Sequence, residues 1–262
     1  MSVNYFWDER LMNETESRAP TILAIGDSWF WYPFYGGSLI NYLGQAVKSK
    51  DHFIFAIGMN GAEAYDYIDG KYARQVREAL KGYRNKLKAV FISGGGNDFA
   101  GFADLRPLLK SDCSQEDDPQ ACFAAKPGLD EFFAAVDDHY RRLVGLIHAS
   151  TRSDCVVVMH TYDYAIPNGR GVFGDSWLKP ALDDAKVKPH LQQECVKLLI
   201  DRFAEVLESI CESDPEHFRL VDSRGTLAPE HWANELHPTP QGFQKLVKDQ
   251  WRPVLQEAGL AA

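Results

Sequence analysis

Five short apolar runs, at residues 21–25, 53–57, 89–92, 155–159 and 219–221, alternate with longer segments whose apolar residues recur every three to four positions. Each run has the length of a short buried strand. The segments between them, 38–49, 63–87, 129–150 and 190–211, carry helical spacing, as does 240–258 after the last run. In the second of these, Tyr72, Val76, Leu80, Tyr83 and Leu87 mark one face, with Arg74, Arg77, Lys81 and Arg84 between them. A basic helix face of this kind reads as solvated. Parallel neighbours need crossover connections, and helices in those crossovers cover both faces of the sheet. The pattern predicts an α/β fold, a three-layer α/β/α sandwich around a mainly parallel five-stranded sheet.

A chain of 262 residues can bury one large core, and neither a linker between composition blocks nor an internal repeat divides it. The expected organisation is a polar N-terminal extension, 1–19, followed by a single domain, 20–262. Two stretches, 103–128 and 161–188, exceed ordinary α/β connections and are expected near the functional end of the sheet. The second contains Tyr162, Tyr164, Phe173 and Trp177, candidates for pocket lining.

Lys and Arg number 28 against 37 Asp and Glu, a formal charge of −9 that repels phosphate backbones and argues against nucleic-acid partners. No apolar run approaches the roughly twenty residues of a membrane span. The first residues lack the basic start and apolar stretch of a secretory signal, so a cytoplasmic location is expected. Cys155, Cys195 and Cys211 fall in core-like segments. Cys113 and Cys122 bracket an acidic segment and could form a disulfide only in an oxidising compartment. The absence of metal-ligand spacings such as C-x-x-C and H-E-x-x-H predicts neither a metal nor a cofactor. The stretch from Gly169 to Gly174 matches the dinucleotide fingerprint G-x-G-x-x-G, but no strand runs into it and Pro180 follows closely.

Three other pieces point to chemistry. Gly26-Asp27-Ser28 follows the first apolar run, which places a serine at the carboxyl end of a strand, where open α/β sheets hold their ligands. A second copy, Gly174-Asp175-Ser176, has no strand before it and reads as coincidence. After the third run comes Ser93-Gly94-Gly95-Gly96-Asn97-Asp98, without the Lys-Ser/Thr of a phosphate-binding loop. Near the C-terminus, Pro238 and Pro240 constrain the backbone just after His237.

A Gly-Asp-Ser near the N-terminus, a Gly-x-Asn-Asp after the third strand and a His-Pro before the last helix, in that order, resemble the SGNH (GDSL-type) hydrolase family. The resemblance covers the chain from Thr21 to the final helix. It implies an α/β/α, flavodoxin-like fold and hydrolysis, through a serine nucleophile, of ester, thioester or amide groups in small-molecule or lipid-like substrates. Carried over residue by residue, Ser28 would be that nucleophile and its N–H one oxyanion donor. Gly61 would give a second donor, preferred over Gly58, and Asn97 would give a third through its side-chain amide. Such donors meet charge that exists only in the tetrahedral intermediate, and losing one typically costs about 10²–10³ in turnover. His237 would act as base and then acid, while Asp27 and Asp98 would brace their turns.

One position departs from the family. The residue three before the histidine is usually Asp, and here it is Asn234. An amide can hold the imidazole but supplies no negative charge, and a reversed amide would favour the wrong tautomer. Asn234, the adjacent Glu235 or a main-chain carbonyl could orient His237. An acyltransferase using the same serine, and a ligand-binding protein with weakened catalysis, remain alternatives to an esterase.

Overall fold

In the computed structural model, residues 4–32, 37–126, 128–172, 174 and 176–261 are described. The strands are β1 (Tyr5–Phe6), β2 (Ile22–Gly26), β3 (Ile54–Gly58), β4 (Ala89–Ser93), β5 (Val156–His160) and β6 (Phe218–Val221). They form one sheet in the order β1-β3-β2-β4-β5-β6, with every pairing parallel. All five expected strands are present to within about a residue at either end. The sheet has six strands rather than five because Tyr5 and Phe6 add an edge, opposite Ile54 and Phe55. Two residues are too few to leave a periodic trace in sequence, so the segment read as an extension contributes to the sheet. Helix α1 (Glu9–Thr15) follows it, its first turn capped by the Asp8 carboxylate, which accepts from Leu11 N at 2.7 Å.

Helices cover both faces. On one side α2 (Leu39–Ala46) packs with α8 (Pro240–Leu246), and α9 (Arg252–Glu257) lies against β6. On the other, α3 (Ala73–Tyr83), α5 (Leu129–Ser150) and α7 (Pro189–Ser213) pack in succession. The short helices α4 (Phe102–Leu105) and α6 (Lys179–Asp184) belong to the two long excursions. The expected helix 63–87 breaks into a 3-10 turn, Ala64–Tyr67, and α3. At Gly70 the chain turns so tightly that a Cβ would sit 2.7 Å from Asp66 Cα. The expected helix 240–258 contains a π-helical turn, Val247–Trp251, between α8 and α9. Pro253 follows two residues after it and has no N–H to continue the regular ladder.

The five cysteines are free thiols, all buried except the half-buried Cys211. Cys113 Sγ donates to the Cys122 carbonyl at 3.3 Å instead of joining its sulfur. Among the described residues, no helix is long and apolar enough to cross a membrane.

β2 lies between β3 and β4, so the chain leaves β2 to one side and returns to its other side. That is the switch point at which an α/β sheet leaves a crevice beyond its strand ends. Ser28 follows β2 by two residues, placing it in this crevice.

Candidate active site

The β2 turn is anchored from below. Asp27 is buried, and its carboxylate accepts from Trp29 N at 3.0 Å, Ser93 Oγ at 2.8 Å and Tyr162 Oη at 2.6 Å. Burial raises its pKa to about 6, and the hydrogen bonds from Tyr162, Ser93 and Trp29 work against that rise. Asp98, raised by burial to about 7, accepts from Ala64 N at 3.0 Å. Asp27 braces its own turn, whereas Asp98 ties its turn to the distant Ala64 N–H.

Ser28 and His237 are 209 positions apart in sequence, yet His237 Nε2 lies 2.8 Å from Ser28 Oγ. On the far side of the ring, Nδ1 faces Asn234 Oδ1 at 3.0 Å. The orientation of that amide follows from its other partners. The backbone N–H groups of Leu236 and His237 reach the same atom at 3.0 and 2.9 Å, and an N–H can only donate. The atom they face is therefore the oxygen, and Nδ2 turns to Tyr32 Oη at 2.9 Å. Nδ1 must then carry the hydrogen, leaving the lone pair on Nε2 toward the serine. A reversed amide would set two N–H groups against an NH₂, so the wrong tautomer is disfavoured by the backbone itself.

Glu235 has a different task. Its buried carboxylate accepts from the N–H groups of Gly169 at 2.9 Å, Lys179 at 3.2 Å, and Trp177 and Leu178 at 2.8 Å each. These bonds satisfy the start of α6 and tie the excursion 161–188 to the histidine loop. An unpaired buried carboxylate would be costly, and four backbone donors remove that cost. Glu235 therefore does not orient His237.

Two residues outside the sequence-derived set complete the site. Tyr32 stacks on His237 with ring centroids 4.0 Å apart and planes 10° from parallel. Trp29 Nε1 donates to the Leu236 carbonyl at 2.9 Å, tying the serine turn to the histidine loop. Their neighbourhood to Gly-Asp-Ser was the available signal, but an aromatic beside a motif does not reveal which distant loop it meets. Burial lowers the His237 pKa to about 3, because no carboxylate offsets the desolvation of its charged form.

Ser28, Gly61, Asn97 and His237 line one cavity of about 220 Å³, together with Tyr32, Asn60, Val172, Trp177 and Leu236. The N–H groups of Ser28 and Gly61 donate to nothing else among the described residues. The Asn97 amide donates to the Ala62 carbonyl at 3.0 Å and makes a long 3.4 Å contact with Asp27 Oδ2. Gly58 sits elsewhere. Its φ is +126°, and a Cβ there would lie 1.9 Å from the Gly26 carbonyl, so this glycine serves the close approach of β3 to β2. The Gly94–Gly96 segment is likewise crowded, since a Cβ on Gly96 would meet the Tyr162 ring at 2.8 Å.

The excursions separate in role. Trp177 faces His237 edge-on at 5.4 Å, and Tyr162 braces Asp27 while lining a second cavity. Tyr164 instead donates to Asp201 at 2.7 Å, away from the serine. Phe173 and Asp175 lie outside the described residues. Ser176 is half-buried in coil and has no hydrogen-bond partner among the described residues. The described residues of stretch 103–128 line neither cavity; they pack behind, against α6 and α7.

Among the described residues, one group has metal-ligand proximity: His148, Asp214 and His217. It lies before the amino end of β6, at the opposite end of the sheet from Ser28, and His217 Nδ1 is paired with Asp214 at 2.9 Å.

Residues 24–245 match the model of the GDSL-like Lipase/Acylhydrolase family. The chain belongs to that family. Its enzyme class is that of GDSL/SGNH-type esterases and lipases. Among solved structures, it is similar to an extracellular lipase from Streptomyces rimosus at 19% identity and a TM-score of 0.51, over 92% of this chain and all (100%) of that one. It also matches phospholipase A1 from Streptomyces albidoflavus, with 16% identity, a TM-score of 0.49, and 92% and 100% of the two chains covered. At these identities the lipase likeness speaks for the fold, a parallel α/β sheet with helices on both faces. A search of curated proteins gives no significant match.

Proposed function

We propose that this GDSL-family chain hydrolyses carboxylic esters, thioesters included, through an acyl-enzyme on Ser28. As Oγ attacks the carbonyl carbon, its proton passes to His237 Nε2. The carbonyl oxygen becomes an oxyanion held by the N–H groups of Ser28 and Gly61 and by the Asn97 amide hydrogen that gives up its long contact with Asp27 Oδ2. The C–O bond breaks as Nε2–H protonates the departing alkoxide, leaving Ser28 acylated. Water then gives a proton to Nε2 and attacks the acyl carbon, and the reverse transfer frees Ser28 and the carboxylic acid. The observation that carries this reading is the continuous Ser28–His237–Asn234 hydrogen-bonded chain, with lengths of 2.8 and 3.0 Å.

Asn234 fixes the ring without a charge, so the imidazolium formed during the reaction needs support from elsewhere. The Tyr32 ring supplies it, since a face stacked at 4.0 Å presents its negative quadrupole to the cation. An activated aryl ester should give a burst of aryl alcohol equal to the enzyme present, followed by slower turnover. A pure binding protein would give no burst. A transferase would give the burst but little turnover until an alcohol acceptor is added.

The low pKa of His237 sets the pH dependence. The base must be neutral, and burial keeps it so down to about 3. For an uncharged ester, kcat/KM should stay level from about pH 8 to about pH 5, where a histidine near its ordinary value of about 6.5 would already be mostly protonated. Asn234→Asp places a carboxylate on Nδ1–H, favours imidazolium and should move the acid limb upward. A wild-type limb centred between about 6 and 7 would contradict this account of the base.

A further inference from the structure

Two cavities meet at Ser28, and they differ in shape and chemistry. The first holds His237 and Gly61, is about 220 Å³, and mixes polar and aromatic walls. The second is smaller, about 40 Å³, and reaches from Ser28 and Asn97 toward Phe99, Leu178 and the α7 side chains Val196, Leu199 and Ile200. Neither His237 nor Gly61 touches it.

This asymmetry assigns the two halves of an ester, given the function proposed above. The leaving oxygen must take its proton from His237 Nε2, so the alcohol portion departs through the cavity that contains the histidine. Attacking water must meet the same nitrogen and enters by the same route. The acyl chain is left with the other cavity. We infer that this second cavity is the acyl site and that its α7 wall restricts the enzyme to short, unbranched acyl groups. At about 40 Å³ against about 220 Å³ it offers far less room than the first cavity, which suits acetyl to butyryl groups. A chain as long as octanoyl would run into Val196, Leu199 and Ile200, each less than 4% exposed. These side chains sit on a 25-residue helix packed against α5 and β6, so the wall cannot retreat cheaply. The opposite wall includes Ala165 and Leu178, the latter held by its N–H bond to Glu235 at 2.8 Å.

The test is kcat/KM for p-nitrophenyl esters from acetyl to dodecanoyl, on the wild type and on Leu199→Ala and Val196→Ala, with fluorophosphonate labelling in parallel. The wild type should be fastest on acetyl to butyryl esters and about 10–100-fold slower on octanoyl, the scale of overfilling a packed site. Both variants should raise the octanoyl-to-butyryl ratio by roughly 10-fold or more, through the space opened at the wall. Val196→Ala removes the smaller volume, and the wild-type series is decisive by itself should Leu199→Ala not fold. A wild type that prefers octanoyl, or variants that label normally yet keep the wild-type ratio, would overturn the acyl assignment while leaving the serine chemistry intact. Absence of any label and any turnover would instead remove the function on which the assignment rests.

Discussion

Ser28→Ala is expected to lower ester hydrolysis by about 10⁶-fold, the scale seen when a serine nucleophile is removed and only binding and oxyanion contacts remain. The fold should survive, since among the described residues the Ser28 hydroxyl bonds only to His237 Nε2, and the turn is held by the Asp27 carboxylate and by Trp29. Ser176→Ala is the matched control, because Ser176 ends the second Gly-Asp-Ser. Among the described residues its hydroxyl meets no histidine, so turnover should stay within about twofold, as for ordinary substitutions away from packed or paired groups. Steady-state rates on one activated ester, with circular dichroism to check folding, compare the two. Equal losses in both variants, or loss only in Ser176→Ala, would place the nucleophile elsewhere.

His237→Ala is expected to lose nearly as much, because nucleophile and base act as one unit. The double variant Ser28→Ala/His237→Ala should then be no slower than either single one, a non-additivity that separate contributions would not give. Stability gives an independent check on the sign. Burial depresses the His237 pKa, so the unfolded chain binds a proton more readily than the folded one below the ordinary value near 6.5. The folded protein should therefore lose stability as pH falls from about 6.5 toward about 3, and His237→Ala should remove part of that loss. A thermal-melt series across this range reads it, and identical pH slopes in wild type and variant would contradict a buried, neutral imidazole.

Strand positions were legible because burial on both faces forces continuous apolar runs, and Ile22–Gly26 and Ala89–Ser93 announce themselves that way. β1 did not, since Tyr5–Phe6 gains its strand character only from Ile54 and Phe55 across the edge. The single expected helix 63–87 failed for the opposite reason: a clear apolar stripe hides a break made by a tight turn at Gly70. Within the site, Ser28, Gly61, Asn97, Asn234 and His237 stood in motifs, and the structure gathers all five: four line one cavity, and Asn234 bonds the His237 ring. Sequence could not settle whether Asn234 or Glu235 meets the imidazole, because adjacent residues point in directions set by the turn. The turn sends Glu235 to four N–H groups of a loop some sixty residues earlier, and that loop is invisible to any local pattern. The same holds for Tyr32, whose partners Asn234 and His237 lie at the other end of the chain.

The proposed chemistry requires that Ser28 itself becomes acylated. Enzyme mixed with an activated acetyl ester, quenched in acid during the burst and digested, should show one acetyl group on the peptide containing Ser28 and none on that containing Ser176. An acetyl group on any other residue, or a burst with no acylated peptide, would contradict it.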